Sequence, residues 1–422
     1  MRLLSLQMLS VLRFRHRLPR ASFAPAVFCA ATLLAVSSAP AAAAPYRSSA
    51  VVASAVSASA VTALASDLEL DSTVDGPYVD GVWENSNTLC WECNEGGPAT
   101  AAATVWLLTG RSDARLLDEA VATVDTVIDT RQLPDGSFAS DSGAASRDIA
   151  TMFWGVEMGT TYLEVEHALD GATRARWQRS LAAAASYLVA NGNPSWYTNG
   201  NIDLGNAELF YLVYRATGDR RYLAAYNTQW NTLVDPNQDR WPGAGLVITK
   251  TPTSPDDSDG AGYLAEIGAG GTGFDAEYAE LQLDVASRLY VVSGDHRALQ
   301  LMNLLLNQLL PRVSPSWRLS TDSGSRHTEP ARTVPFLTSA LVVLARHTGR
   351  ANLAGLATSQ FAASAAQYAN PANADAAVFR RGLGNDLSTI ALSALTDAPR
   401  QLGGCAPPNL GGTSLGSASV RP

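Results

Sequence analysis

The segment LVYRATGDRRYLAAY (212–226) decides the fold class of this chain. On both sides of its TGD turn, apolar residues recur at the spacing of about 3.6 residues that is typical of amphipathic helices. Gly218 stands where a residue just past a helix needs a positive φ, and a helical pattern resumes directly after it. The segment therefore predicts two helices joined by a tight turn, an αα-hairpin.

The same pattern recurs at 104–121, 287–302 and 342–357, with Gly110, Gly294 and Gly349 in the turns. Further helical patterns cover 116–132 and 168–188, and the clearest strand signal is GLVITK (245–250). The turns are too irregularly spaced for a solenoid of identical repeats. They suit a closed ring of hairpins that bury a common core. We therefore expect an all-α protein, an α/α toroid (barrel) of helical hairpins whose long loops form a cleft at one end.

The N-terminal region has the features of an export signal. Five arginines lie within the first 20 residues, and an apolar run rich in small residues follows at 26–44. We expect a signal peptide at 1–44, and so a secreted, extracellular protein. A low-complexity arm is predicted at 45–66, the toroidal catalytic domain at 67–400, and a flexible Gly/Ser/Pro-rich tail at 401–422. No later apolar run is long enough to cross a bilayer, so stable membrane insertion is not expected.

Charge and cysteine content limit the kinds of ligand and partner that we expect. The net charge is −9 and no basic stripe is present, which argues against a nucleic-acid partner. After export, Cys90, Cys93 and Cys405 remain; CWEC could close a small disulfide, or one of its cysteines could pair with Cys405. A lone CxxC is weak evidence for zinc, and five histidines leave little room for a multi-histidine centre. We expect no metal, no cofactor and a monomeric protein.

Several segments together resemble those of secreted α/α-toroid carbohydrate-active enzymes, a group that includes polysaccharide lyases and six-hairpin glycosidases. They are the helical hairpins, the QLPDGSF turn (132–138), the YTNGN loop (197–201) and FDAEYAELQLDVASRLYVVSGD (274–295). Terpenoid cyclases also form toroids, but neither an aspartate-rich diphosphate motif nor a DxDD motif is present here. The resemblance implies a secreted enzyme that degrades a polysaccharide bound in the cleft.

Four long segments between helices, at 78–97, 196–208, 239–278 and 316–336, are rich in polar and aromatic residues and would line that cleft. Aromatic faces can stack on pyranose rings, although tryptophans in loops could equally cap the ends of the barrel core. The tryptophans in these segments are Trp83, Trp91, Trp196, Trp241 and Trp317. The predicted substrate-binding residues are Trp196, Tyr197, Asn199, Asn201, Trp83, Trp91 and Trp241.

A lyase that acts on an acidic, uronate-containing glycan by β-elimination is the first functional hypothesis. Such an enzyme needs donors on the substrate carboxylate and a residue that moves the proton next to it. We predict that Asn199 and Asn201 hold the carboxylate. Tyr278 or Tyr263 would transfer the proton, and the toroidal lyases that the chain resembles imply that Arg326 and His327 assist with charge.

Two alternatives stay open. A glycoside hydrolase would need two carboxyl groups flanking the scissile bond, and its candidates are Asp275, Glu266, Asp203 and Glu92. Asp275 and Asp203 could instead cap the helices that follow them. A non-catalytic glycan-binding protein would use the same aromatic residues. Lyase action creates a double bond that absorbs in the near ultraviolet, a hydrolase releases reducing ends without that absorbance, and a binding protein does neither.

Overall fold

A computed structural model describes residues 56–74, 78–79, 82–83, 98–139, 147–192, 199–234, 245–267, 273–320, 332–348, 350–369 and 376–396. Within them lie twelve α-helices: α1 (Ala58–Val74), α2 (Pro98–Leu108), α3 (Ala114–Arg131), α4 (Arg147–Val165), α5 (Gly171–Asn191), α6 (Gly200–Thr217), α7 (Arg220–Val234), α8 (Ala276–Ser293), α9 (His296–Leu309), α10 (Thr338–Thr348), α11 (Ala351–Tyr368) and α12 (Ala376–Thr396). The predicted signal peptide, the tail and the cysteines lie outside the described residues.

A short 3-10 helix (Leu310–Arg312) and three antiparallel two-stranded hairpins complete the described secondary structure. They are formed by β1 (Tyr78–Val79) with β2 (Val82–Trp83), β3 (Leu246–Lys250) with β4 (Ala261–Leu264), and β5 (Leu319–Ser320) with β6 (Arg332–Thr333). The strand predicted at 245–250 is β3. The β3–β4 hairpin lies against α9 and leads back toward the start of α6.

Contacts between helices close a ring. The even-numbered helices touch one another in the order α2, α4, α6, α8, α10, α12, and α12 returns to α2 and also touches α8. We call these six the inner helices. The odd-numbered, outer helices pack outside them: α3 on α2, α5 on α4, α7 on α6, α9 on α8, α11 on α10, and α1 on both α2 and α12. This is an α/α toroid of six hairpins, which confirms the fold predicted from the sequence. Because α1 begins at Ala58, the helical domain starts within the segment predicted to be an arm.

Short and long connections lie at opposite ends of the ring. The short turn after each of three inner helices contains a predicted glycine: Gly110, Gly218 and Gly294 have φ values of 77°, 72° and 67°. Gly349 lies outside the described residues. Every long connection instead leads from an outer helix into the next inner helix. The long loops therefore gather at the N-terminal ends of the inner helices, and we call this end of the ring the mouth.

Glycines let α4 and α6 approach closely. A Cβ added to Gly205 would lie 2.5 Å from the sulfur of Met152. The facing pairs are Met152 with Gly205, Gly155 with Leu209, and Gly159 with Leu212. Because the numbers rise together, α4 and α6 run parallel, and their first turns lie at the same height at the mouth.

Polar bonds hold the interior of the ring together. The Arg288 guanidinium donates to Glu208 at 2.5 and 3.0 Å and to Asp284 at 3.0 Å, and all three side chains are buried. At the seam where the ring closes, Glu164 Oε1 accepts hydrogen bonds from Thr104 Oγ1 of α2 at 2.9 Å and from Ser388 Oγ of α12 at 2.8 Å. The guanidinium of Arg288 is thus paired with carboxylates, and the buried carboxyl of Glu164 has hydrogen-bond partners, as buried charged and polar groups require.

None of the helices in the described part of the chain combines the length and the apolar character that a membrane span requires.

Candidate active site

The wall of the central space can be identified from half-exposed residues on α4. On one side of this helix Thr161 bonds Thr100 of α2, on another Gly155 meets α6, and on a third the Met158 sulfur lies 3.7 Å from Ser180 of α5. The remaining side faces the centre of the ring. Ile149, Phe153, Val156 and Glu157 occupy it and are all half-buried. We call the space that this side faces the lumen.

The same reasoning places two predicted residues at the lumen. On α8, half-buried residues recur at Tyr278, Leu281 and Val285, a spacing that defines one helix face. Asn201 lies in the first turn of α6 and is also half-buried. Its position one turn before Gly205 directs it toward α4 and the lumen. The structure therefore brings Asn201 and Tyr278, both predicted to act in the site, to the same space.

Asp203 lies at the mouth, on the side of α6 that faces α7. Its Oδ1 accepts a hydrogen bond of 3.0 Å from Nε2 of Gln229, and the residue is 4% exposed. Its Oδ2 makes no hydrogen bond with a described residue. Burial raises the pKa of this carboxyl well above its usual value; the Gln229 bond lowers the pKa and the nearby Glu266 carboxyl raises it. This shift favours the protonated form of the Asp203 carboxyl.

Glu266 is fixed in place beside Asp203. Its Oε1 accepts the backbone N–H of Asn201 at 2.8 Å and Nε2 of Gln282 at 2.9 Å, and its side chain is fully buried. Gln282 also bonds both backbone groups of Leu264, at 3.2 Å to the nitrogen and 3.0 Å to the oxygen. A carboxylate at a helix N-terminus satisfies amides that have no partner within the helix. Glu266 thus anchors the start of α6 to the segment that follows β4.

Asp148 is a third carboxyl at the mouth, and the sequence analysis did not single it out. It is the second residue of α4, is 4% exposed, and its Oδ2 has no hydrogen-bond partner among the described residues. Asp148 lies one turn before Met152, which faces α6, so it is directed at the first turn of α6. Asp148 and Asp203 therefore both lie in the first turns of neighbouring inner helices, at the mouth.

Of the two residues predicted to cap helices, Asp275 does so and Asp203 does not. Asp275 is the N-cap of α8: its Oδ1 accepts from the backbone nitrogens of Glu277 at 3.1 Å and Tyr278 at 3.0 Å. The capping prediction for Asp203 was wrong, because α6 begins three residues earlier, at Gly200. Asn199 occupies that N-cap position without a side-chain cap bond, and its backbone pairs with that of Glu266.

Tyr263 and Trp317 lie outside the lumen wall formed by the inner helices. Tyr263 belongs to β4, and its ring packs edge-on against Phe274 with centroids 5.1 Å apart. Trp317 is buried, and its Nε1 donates to Ser359 Oγ at 2.7 Å. For Trp317, the interpretation that it caps the core is therefore the correct one.

The remaining predicted site residues lie outside the described residues: Trp91, Glu92, Trp196, Tyr197, Trp241, Arg326 and His327. For Trp83 the structure describes only the backbone, in β2. These assignments stay predictions. In the described part of the chain, no group of three or more His, Cys, Asp or Glu side chains is placed to hold a metal ion.

The sequence matches no protein-family model, and a search of curated proteins finds no match. Among solved structures, the chain is similar to a mutant of the unsaturated glucuronyl hydrolase from Streptococcus agalactiae, with 11% identity and a TM-score of 0.49 over 81% of this chain and 92% of that chain. The chain is also similar to the unsaturated glucuronyl hydrolase from Bacillus sp. GL1, described as responsible for the degradation of glycosaminoglycan. The sequence identity is 12% and the TM-score is 0.47, over 80% of this chain and 95% of that chain. These likenesses concern the fold.

Proposed function

We propose that the protein is a glycoside hydrolase that binds its glycan at the mouth and cleaves it with two carboxyl groups. The observation that carries this proposal is the environment of Asp203 at the end of the ring where the long loops converge: burial and the nearby Glu266 raise the pKa of its carboxyl well above its usual value, which favours the form that can donate a proton. Glycoside hydrolysis requires one protonated carboxyl to donate to the leaving oxygen and a second carboxyl to act on the opposite side of the bond. Asp148, in the first turn of the neighbouring inner helix, is the second group.

Each step can be assigned to a residue. Asp203 gives its proton to the glycosidic oxygen as the bond to the anomeric carbon breaks. Asp148 takes a proton from a water molecule, whose oxygen then bonds the anomeric carbon. Each product thus gains a complete hydroxyl group, and a second proton transfer through solvent restores both carboxyls.

The lumen would hold the sugar ring next to the broken bond. Phe153 and Tyr278 supply aromatic faces and Asn201 supplies an amide, the combination with which proteins grip pyranose rings. We further propose that the substrate is an acidic, uronate-containing glycan. Arg147, exposed beside Asp148 at the start of α4, is a cation that could meet a substrate carboxylate; it bonds Asp135 at 3.2 Å.

A β-eliminating lyase is the second candidate, and it is favoured by one observation: Tyr278 and Asn201 face the same lumen. In that reaction the Tyr278 phenolate would remove the proton next to the substrate carboxylate while Asn201 bonds that carboxylate. The bond to the glycosidic oxygen breaks as the double bond forms, and the departing oxygen takes up the proton from Tyr278. Tyr278 and Asp203 therefore separate the two mechanisms, because only the hydrolase depends on Asp203 as its acid.

A panel of polysaccharides, read by both reducing ends and near-ultraviolet absorbance, tests these proposals. For the hydrolase we expect reducing ends without new absorbance, and a loss of roughly 10²- to 10⁴-fold in Asp203→Asn and in Asp148→Asn. Tyr278→Phe should keep most of the activity. New absorbance together with an inactive Tyr278→Phe would establish the lyase instead. A glycan that binds without either signal would point to a binding protein.

Export from the cell is part of the proposal. It rests on the N-terminal sequence pattern, and detection of the mature protein outside cells, shortened by about 44 residues, would test it.

A further inference from the structure

Gln229 is buried beside the proposed acid. It lies in the last part of α7, which runs antiparallel to α6 and so ends at the mouth. Its side chain is fully buried, and its Nε2 donates to Asp203 Oδ1 at 3.0 Å. Its Oε1 has no hydrogen-bond partner among the described residues. Among the described residues, the side chain of Gln229 therefore makes a single hydrogen bond, to the carboxyl of Asp203.

The direction of this bond decides where the acid carries its proton. An amide NH₂ group can only donate, so the oxygen that it meets must accept. In a protonated carboxyl the accepting oxygen is the carbonyl oxygen, and the proton belongs to the other one. With Oδ1 engaged by Gln229, the proton of Asp203 lies on Oδ2, which makes no hydrogen bond with a described residue.

We infer that Gln229 is a positioning residue for the acid: it holds Oδ1 and so presents the Oδ2 proton to the leaving oxygen. This inference rests on the proposed function. Gln229 touches neither the substrate nor the reacting atoms. It acts only by fixing the orientation of Asp203 and the oxygen that carries the proton.

The helix that carries Gln229 is itself firmly held. Next to it, the Trp230 ring lies below the guanidinium of Arg297 of α9, 5.2 Å from the ring centroid. Arg297 also lies 5.4 Å from the ring of Tyr226, whose hydroxyl donates to Asp295 Oδ2 at 2.5 Å. A donor on a packed helix keeps its geometry better than one on a loop. The last turns of α7 thus form a rigid support for the bond to Asp203.

The test compares Gln229→Leu with Gln300→Leu. Gln300 is a matched control, because it is also a buried glutamine on an outer helix, and its Nε2 donates to a backbone carbonyl, that of Pro255, at 3.2 Å. The probes are para-nitrophenyl and methyl glycosides of glucuronic acid, glucose and mannose, and the sugar with the highest wild-type turnover is used. Circular dichroism verifies that both variants fold.

The first readout is the pH dependence of kcat/KM, in which the fall in activity at alkaline pH gives the pKa of the catalytic acid in the free enzyme. The Gln229 bond lowers the pKa of Asp203, so its loss should raise the midpoint of that fall, by about half to one pH unit. Gln300→Leu should leave the midpoint unchanged. An unchanged midpoint in Gln229→Leu, or a lower one, overturns the inference; a lower one would mean that Asp203 donates to the glutamine.

The second readout is the leaving group. A good leaving group such as para-nitrophenolate needs little help from an acid, whereas methanol needs a proton. Gln229→Leu should therefore lose roughly two- to tenfold in kcat on the methyl glycoside, and less on the para-nitrophenyl glycoside, with KM nearly unchanged. Equal losses on both substrates would indicate a purely structural role and would overturn the inference.

Asp203→Asn separates a failure of this inference from a failure of the proposed function. If Asp203→Asn hydrolyses the methyl glycoside at the wild-type rate, the proposed function itself fails. If it loses that activity while Gln229→Leu keeps the wild-type profile, only the inference fails. Should Gln229→Leu not fold, Gln229→Glu replaces it. This variant removes the amide donor and places another carboxyl, in addition to Glu266, beside Asp203, so the midpoint should rise, and an unchanged midpoint overturns the inference.

Discussion

Replacing Glu164 by glutamine should make the stability of the protein less dependent on pH. Burial raises the pKa of Glu164 from 4.5 to about 8, against the opposing effects of its bonds to Ser388 and Thr104 and of the Arg288 charge. The folded protein therefore keeps this proton up to about pH 8, whereas the unfolded chain releases it near its ordinary pKa. The stability that the protonated group contributes is fully present at acidic pH and is lost as the pH rises from 4.5 to about 8.

The size of the effect follows from the difference in pKa. The pKa of Glu164 differs by about 3.5 between the folded and unfolded states. Each pKa unit corresponds to about 1.36 kcal/mol, so the free energy of unfolding falls by at most about 5 kcal/mol at alkaline pH. Glutamine has nearly the same shape, cannot ionise, and keeps an oxygen that can accept from Thr104 and Ser388. Glu164→Gln should therefore match the wild type within about 1 kcal/mol at about pH 5 and exceed it by several kcal/mol at about pH 8.5.

Urea unfolding at both pH values measures this gap, and thermal melting should follow it at roughly 2–4 °C for each kcal/mol. Asp118→Asn, on the exposed side of α3, serves as the control and should change with pH as the wild type does. If Glu164→Gln kept the wild-type pH dependence, or lost stability equally at both pH values, Glu164 would not be a neutral acid at the seam of the ring.

Three further predictions concern the ring and the loop that packs against α9. Gly205→Ala places a Cβ 2.5 Å from a methionine sulfur and should cost about 1–3 kcal/mol of unfolding free energy in urea, whereas Gly355→Ala, with no atom within 4 Å of its Cβ, should add up to about 1 kcal/mol. Arg288→Met leaves two buried carboxylates without their cation and should cost about 3–5 kcal/mol in the same assay. Asn307→Ala removes two bonds, of 2.9 and 2.7 Å, to backbone carbonyls of the loop between β3 and β4, so hydrogen exchange should quicken in that loop and not in α6.

Local features of the sequence were enough to predict the hairpins. Gly110, Gly218 and Gly294 adopt the positive φ that the turns require, because this conformation depends on residues a few positions away. The N-cap role of Asp275 follows in the same way from its own helix. Closure of the ring was expected only from the number of hairpins and from the irregular spacing of their turns.

The candidate site depends on contacts that no local pattern contains. The sequence places Asp203 where a helix could begin, but α6 starts at Gly200, whose backbone nitrogen bonds Ala265, while Glu266 bonds the nitrogen of Asn201. These partners are some 65 residues away along the chain. Asp203 is thereby placed inside the helix, where Gln229 can reach it. Before the fold is known, a glutamine in the middle of an outer helix gives no signal of such a role.

The seam of the ring also bears on how the chain can be synthesised. The Ser388 hydroxyl that bonds Glu164 is 224 residues further along the chain, on the last inner helix. Early hairpins can form while the ribosome is still translating, since their contacts are local. The side of α2 that packs against α12, however, stays uncovered until α12 has been synthesised. Until then the growing chain exposes an apolar edge to the cell, and a chain that ends before α12 would be a substrate for chaperones and proteases rather than a smaller version of the protein.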